Sequence, residues 1–179
     1  MRTRIDTHPD QLKRSNIPLT IVCGPPCSGK TTFVQERRKD GDQIIDLDVI
    51  SRQLEPNYRP WQQTDFELLR RAIRMRNLLL LRLSKLNTGR AWFIVSSPAS
   101  EEREWWKSRL GGEVVLMSTP IDECKRRALV RNTPHAVQGI DAWFTKASQG
   151  WSHPRYQHAI ALDGWLLREA EDEDFCLYD

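Results

Sequence analysis

Residues Gly24-Pro25-Pro26-Cys27-Ser28-Gly29-Lys30-Thr31 satisfy the pattern GxxxxGK[ST] at every fixed position. Glycines let successive backbone N–H groups turn inward around phosphate oxygens with no side chain in the way. A helix opening at Gly29 would aim its positive end at the same anion. Lys30 is long enough to reach the outer phosphates, and the Thr31 hydroxyl is of the type that ligates Mg²⁺ beside them. The run from Gly24 to Thr32 is therefore the expected cradle of a nucleoside triphosphate. Cys27 reads as a small loop residue, and the sequence assigns it no redox role.

A second group of chemical interest is Ile45-Asp46-Leu47-Asp48-Val49. A carboxylate at the end of a strand can accept the proton of an attacking hydroxyl, as phosphoryl transfer to an alcohol requires. Spacing of two puts both acids on one side of an extended segment, or one in a cleft and one at the start of the following helix. Asp48 is expected as the base or hydroxyl-positioning group, with Asp46 supporting the metal or orienting water. The alternative is one helix cap and one surface acid.

These residues need elements to position them, and runs and breakers alternate in a regular order. Ile17–Cys23 reads as a buried strand, followed by a helix over Gly29–Lys39. A second strand over Gln43–Asp46 and a short helix over Val49–Leu54 lead to Pro56 and Pro60. Asp65–Leu86 reads as a long helix stopped by Asn87 and Gly89. Strands follow at Ala91–Ser96, Glu113–Ser118 and Gln157–Leu162, with helices at Glu101–Leu110, Ile121–Asn132 and Ile140–Gln149. Such alternation implies an α/β, three-layer fold: a five-stranded parallel sheet with helices on both faces. Both acids and Lys30 then face one crevice, because ligands of open parallel sheets bind beyond the carboxyl ends of the strands. Residues 1–16 read as a flexible arm, 17–167 as the domain and 168–179 as an acidic tail.

The long helix is strongly basic. On a wheel starting at Arg70, residues Arg70, Arg74, Lys85, Arg71 and Arg82 fall between about 0° and 120°. Arg76 falls near 240°, inside the apolar arc. A buried guanidinium needs an anion, so Arg76 is a candidate for a substrate phosphate, with a structural carboxylate as the alternative. The outer stripe is either simply solvated or able to track a nucleic-acid backbone.

Length and composition bound the rest. The 179 residues favour one domain, and 39% apolar with 28% charged residues excludes wholesale disorder and a membrane class. Four cysteines without a CxxC pair exclude zinc-ribbon and thioredoxin-like readings and favour a reducing, cytoplasmic setting. The four histidines show no metal-ligand spacing. No leading apolar segment or spanning stretch is present, so no membrane partner is expected. The net charge of +3 conceals an asymmetry, since Arg168–Asp179 holds six acids and one base. The preceding 167 residues carry 26 bases against 18 acids, a balance that favours a phosphate-bearing partner. Seven tryptophans could stack bases, although large aromatics more often serve a core or interface.

From about Leu19 to Phe144 the sequence resembles the small P-loop kinases, specifically the polynucleotide-kinase-like group common in phage genomes. It is less similar to adenylate, gluconate and shikimate kinases. The likeness covers the phosphate loop, Asp48, the long helix leading to Gly89, and Arg103 with Trp106. It extends to Thr119-Pro120-Ile121-Asp122-Glu123-Cys124-Lys125-Arg126-Arg127-Ala128-Leu129-Val130-Arg131, which looks like the family's helix before the lid over ATP. The resemblance implies an ATP- and Mg²⁺-dependent kinase acting on a hydroxyl of a nucleic acid, nucleotide or nucleoside, in the cytoplasm (of the host, if phage-encoded). It places Arg127 and Arg131 over the transferring phosphate and a short lid at about residues 131–140. Arg52, Arg76, Ser97 and Arg103 are its candidate acceptor contacts. A small-metabolite kinase and a nucleotide-dependent ATPase switch are the competing expectations. Two departures stand out: Val95-Ser96-Ser97-Pro98 replaces the acid that often ends strand three, and Ser51 then Arg52 stand where an arginine three residues after the catalytic Asp is common.

Overall fold

The computed structural model describes residues 6–60, 65–151 and 153. Four parallel strands form the sheet in the order β2-β3-β1-β4, with β1 at Leu19–Cys23, β2 at Gln43–Asp46, β3 at Ala91–Val95 and β4 at Glu113–Leu116. The register aligns Cys23 with both Val95 and Leu116, and Asp46 with Ile94, so the strand ends that carry the chemistry lie along one edge of the layer. The expected fifth strand, Gln157–Leu162, lies outside the described residues.

β1 and β3 are apolar on both faces because both faces are covered. Leu19, Ile21 and Cys23 of β1 and Ala91 and Phe93 of β3 join the larger core with Ala72, Leu80, Trp106 and Leu110 of the helices. The intervening Val22, Trp92 and Ile94 pack on the other face against Val34 and Phe33. The helices are α1 (Lys30–Gln35), α2 (Leu47–Leu54), α3 (Phe66–Arg82), α4 (Ser100–Leu110), α5 (Ile121–Val130) and α6 (Ala136–Ala147). α3 continues as a 3₁₀ turn over Leu83–Lys85, and Asp65 caps its start by accepting from the Leu68 N–H at 3.0 Å. No helix among the described residues is long and apolar enough to cross a membrane.

Three expectations need correction. Residues 6–16 are seated and do not form a loose arm. Leu12 is 6% exposed within the main core, and the Ser15 N–H donates to Leu110 O at 2.8 Å. His8 donates to or accepts from Glu102 at 2.9 Å and lies 5.1, 5.0 and 5.3 Å from the rings of Trp105, Trp106 and Trp151. Three of the tryptophans thus serve packing, and a fourth, Trp143, is 8% exposed with its N–H on Ser96 O at 3.0 Å.

Arg76, expected at a substrate phosphate, belongs to this same seat. It is 5% exposed, donates to Thr7 O and to Asn77 Oδ1, and lies 5.4 Å over Trp106. Burial lowers its pKa to about 10, with Glu102 and Asp6 opposing the shift. The N-terminal segment at Thr7 and the adjacent Asn77 of α3 supply the structural partners that the helical wheel had left open beside a ligand.

The expected lid is shorter than its sequence span. Gly139, which falls within the span of about 131–140 expected as a lid, is buried inside α6, and α5 and α6 close on each other through Cys124, Ala128, Ala136 and Ile140. Only the turn from Arg131 to His135 separates the two helices.

Candidate functional site

The chain runs from β1 toward β2 and β3 on one side and later returns to β4 on the other, so the carboxyl end of β1 is a topological switch point. Gly24 begins the loop there. Its N–H donates to Ser96 O at 3.2 Å, and a Cβ would meet Met117 Cβ at 2.8 Å and Ser28 Oγ at 3.0 Å. Gly29 turns the chain into α1 at φ 96, a left-handed conformation that favours glycine. α1 is shorter than predicted and gives way to turns after Gln35.

The loop is built to receive an anion. Ser28 is 2% exposed and its hydroxyl has no hydrogen-bond partner among the described residues. The N–H groups of Cys27, Gly29, Lys30, Thr31 and Thr32 likewise donate to no protein acceptor among the described residues. Unpaired backbone donors gathered on one turn fit phosphate oxygens. Lys30 Nζ donates to Gly24 O and Pro25 O at 2.8 Å each, which holds the cation over the loop. Desolvation lowers its pKa, while Asp46 and Asp48 oppose that shift.

The two acids occupy different positions. Asp46 ends β2, is 8% exposed and caps α2 by accepting from the Asp48 N–H at 2.9 Å. Desolvation and then the Asp48 charge push its carboxyl up to about 6, against the pull of that N–H, Lys30 and Arg52. Asp48 stands in the first turn of α2, and its Oδ1 accepts from the Tyr58 hydroxyl at 3.2 Å. Burial first, then Asp48, push the Tyr58 phenol well above its usual range. The structure therefore brings Lys30, Asp46, Asp48, Arg52 and Tyr58 into one electrostatic cluster. Tyr58 was missed by sequence reasoning because it lies between Pro56 and Pro60, a stretch that reads only as chain-breaking.

The opposite wall comes from β4 and α5. The Thr119 hydroxyl donates to Ser28 O at 2.9 Å, and Arg127 Nη1 donates to Ser28 O at 3.2 Å and Cys27 O at 3.4 Å. Arg127 Nε is fixed by Glu123 Oε1 at 2.6 Å. Arg126, with its bonds to the same carboxylate, and then Arg127 hold Glu123 down at about 2. Arg131 is the exposed C-cap of α5. Gly29, Thr32, Phe33, Thr119, Arg127 and Arg131 line an open cleft of about 450 Å³ beside the loop. The family resemblance singled out the arginines but gave no role to Thr119 or Glu123, whose contacts depend on the chain after β4 passing next to the loop.

Two expected acceptor contacts do not reach the cleft. Ser97 is 1% exposed at φ 38, its hydroxyl without a partner among the described residues. Arg103 Nη1 is occupied by Ser97 O at 2.9 Å and by Pro98 O, so it ties α4 to the end of β3. Both residues shape the loop that would otherwise carry the strand-three acid. No group of three or more His, Cys, Asp or Glu side chains gathers among the described residues. The oxygen donors Thr31 and Asp46 suit Mg²⁺, which keeps most of its shell as water and phosphate oxygens.

A parallel sheet flanked by helices, with this loop leaving its central strand, defines a P-loop nucleotide-binding fold. Residues 19–142 match the AAA domain family AAA_33, and the chain belongs to that P-loop kinase-like family. No curated protein matches the chain. Among solved structures, the chain is similar to TT1252 from Thermus thermophilus at 20% identity and a TM-score of 0.46, over 75% of this chain and 85% of that one. That likeness is too distant to bear on function.

Proposed function

We propose that the chain is an ATP- and Mg²⁺-dependent phosphotransferase acting on a hydroxyl of a nucleic acid, nucleotide or nucleoside. The observation that carries this reading is the convergence of Lys30, Asp46 and Asp48, across the ends of β1 and β2, on a loop with unpaired backbone donors.

In this reading the Gly24–Thr32 backbone and Lys30 bind and orient the triphosphate. Asp48 accepts the acceptor's hydroxyl proton, and Tyr58 fixes which carboxylate oxygen faces away from it. Arg127, held by Glu123 at the loop, and Arg131, free to swing at the end of α5, stabilise charge on the phosphates. Thr31 and Asp46 would hold Mg²⁺, whose contribution is to neutralise charge on the transferring group. Arg71, Arg74 and Arg82 are exposed on α3 and Lys85 on the 3₁₀ turn that continues it, α3 packs on the helix carrying Asp48, and this basic face supports a phosphate-rich acceptor.

The test is transfer of labelled phosphate from ATP to oligonucleotide ends, nucleosides and small polyols. Asp48→Asn is expected to abolish transfer and spare nucleotide binding, whereas full transfer by that variant rejects the assignment. A second reading, an ATPase switch, is favoured by Ser96 and Ser97 standing where the strand-three acid is missing. Steady ATP consumption with no labelled acceptor would decide for it.

A further inference from the structure

Two thiols meet where α5 leans on the phosphate loop. Cys124 is fully buried with Ala128, Ala136 and Ile140, and Cys27 packs against that same cluster from the loop side. Burial first, then the neighbouring Cys27, push the Cys124 thiol up. Bonds between the same two segments hold them in register, from the Thr119 hydroxyl to Ser28 O at 2.9 Å and from Arg127 to Ser28 O at 3.2 Å and Cys27 O at 3.4 Å.

Their access differs. Cys27 is partly exposed on a loop bordered by Lys30 and Arg127, whereas Cys124 has no exposed surface. The other described thiol, Cys23, belongs to the opposite core cluster, and burial pushes it up to about 12. It is therefore no competitor for either partner.

We infer that Cys27 and Cys124 form a peroxide-driven disulfide that locks the phosphate loop to α5 and closes the nucleotide site. The chemistry stands on the thiol pair alone, and its consequence rests on the phosphate-loop reading above. The Cys27 thiolate attacks a hydroperoxide oxygen and the O–O bond breaks, giving Cys27 sulfenic acid; the leaving oxygen departs as water or alcohol with the thiol proton. Cys124 sulfur then attacks the Cys27 sulfur, the S–O bond breaks, and the hydroxide leaves as water with the Cys124 proton. Two thiols are oxidised by two electrons in all, and one peroxide is reduced.

The effect on the loop follows from geometry. A disulfide fixes its two sulfurs about 2 Å apart with a restricted dihedral angle, so the loop backbone at Cys27 must adapt to the position of Cys124 on α5. Backbone donors displaced by more than about 1 Å no longer converge on one phosphate.

The experiment uses the full chain carrying Cys176→Ser, since Cys176 lies outside the described residues. The protein is treated with hydrogen peroxide, digested without reductant and mapped by mass spectrometry, while magnesium-ATP binding is measured by calorimetry before oxidation, after it, and after dithiothreitol. The expected result is a Cys27–Cys124 linked peptide with affinity weakened by at least about tenfold, both reversed by reductant. Cys124→Ala and Cys124→Ser, added to that background and checked for unchanged melting, should bind ATP as before and lose the reversible response. A protein that binds ATP but yields no linked peptide, or a linked form that binds equally well, overturns the inference. Failure of the reduced protein to bind ATP would instead reject the phosphate-loop reading, and with it the regulatory half of the inference, while the linked peptide still decides the thiol chemistry.

Discussion

Asp46→Asn should make the protein more stable, and increasingly so as pH rises. Asp46 is 8% exposed, and its carboxyl is pushed from 3.8 to about 6 by desolvation and by Asp48. A raised carboxyl pKa means the native state holds the proton more tightly than the unfolded chain. The favourable contribution is therefore fully present below the unfolded value of 3.8 and is lost as pH rises through about 6. The shift of about 2 units corresponds to about 3 kcal/mol of native-state stability forgone once the group is ionised. Lys30 and Arg52 already reduce that cost, because their pull is part of the shifted value.

Asparagine keeps an oxygen that can accept from the Asp48 N–H, so the α2 cap survives. The stability gap between variant and parent should widen from about 1.5 kcal/mol near pH 5 to about 3 kcal/mol near pH 8. Urea unfolding followed by circular dichroism, in chelating buffer so that no metal ion offsets the charge, reads this directly. At the melting temperature the larger gap corresponds to about 6–12 °C. A gap that does not change with pH, or a variant less stable than the parent near pH 8, would refute the electrostatic reading of Asp46.

Tyr58→Phe removes the hydroxyl that donates to Asp48 Oδ1 and should slow transfer by about tenfold with nucleotide affinity unchanged, as a turnover-against-binding comparison will show. Arg76→Leu strands Thr7 O and Asn77 Oδ1 and removes the Arg76 charge beside Glu102, so unfolding in urea should show a loss of about 3 kcal/mol and earlier proteolysis near residues 6–16. If Arg76 served a substrate phosphate instead, that variant would keep its stability and lose acceptor binding. Gly24→Ala places a Cβ 2.8 Å from Met117 Cβ and should weaken calorimetric ATP binding by about tenfold or more, a retained affinity showing that the loop tolerates the shift.

The sequence disclosed those features in which one local rule operates without competition. Largely apolar runs, rich in β-branched residues, made β1 and β3 legible, because buried parallel strands need no alternation. The phosphate loop was legible because its glycines and Lys30 answer to a single local geometry. Arg76 was left between a ligand and a structural partner because a helical wheel shows that a cation points inward but not that Thr7 O and Asn77 await it there. Gly139 illustrates the opposite error: local propensity favours a break, and packing of α6 on α5 overrides it. Arg103 fell at a sensible position for an acceptor site, yet its guanidinium is bonded to the Ser97 and Pro98 carbonyls at the end of β3, and Ser97 is buried there with its hydroxyl unpartnered among the described residues. Tyr58 carried no motif, since its value comes only from what the chain folds beside it.

The most direct measurement is a crystal structure with Mg²⁺ and a non-hydrolysable ATP analogue. The account predicts the outer phosphates within the Gly24–Thr32 loop, hydrogen-bonded by its free N–H groups and by Lys30, with Mg²⁺ beside Thr31 and Asp46 and the last phosphate turned toward Asp48. An analogue bound elsewhere, or a loop whose amides point away from the phosphates, would contradict it.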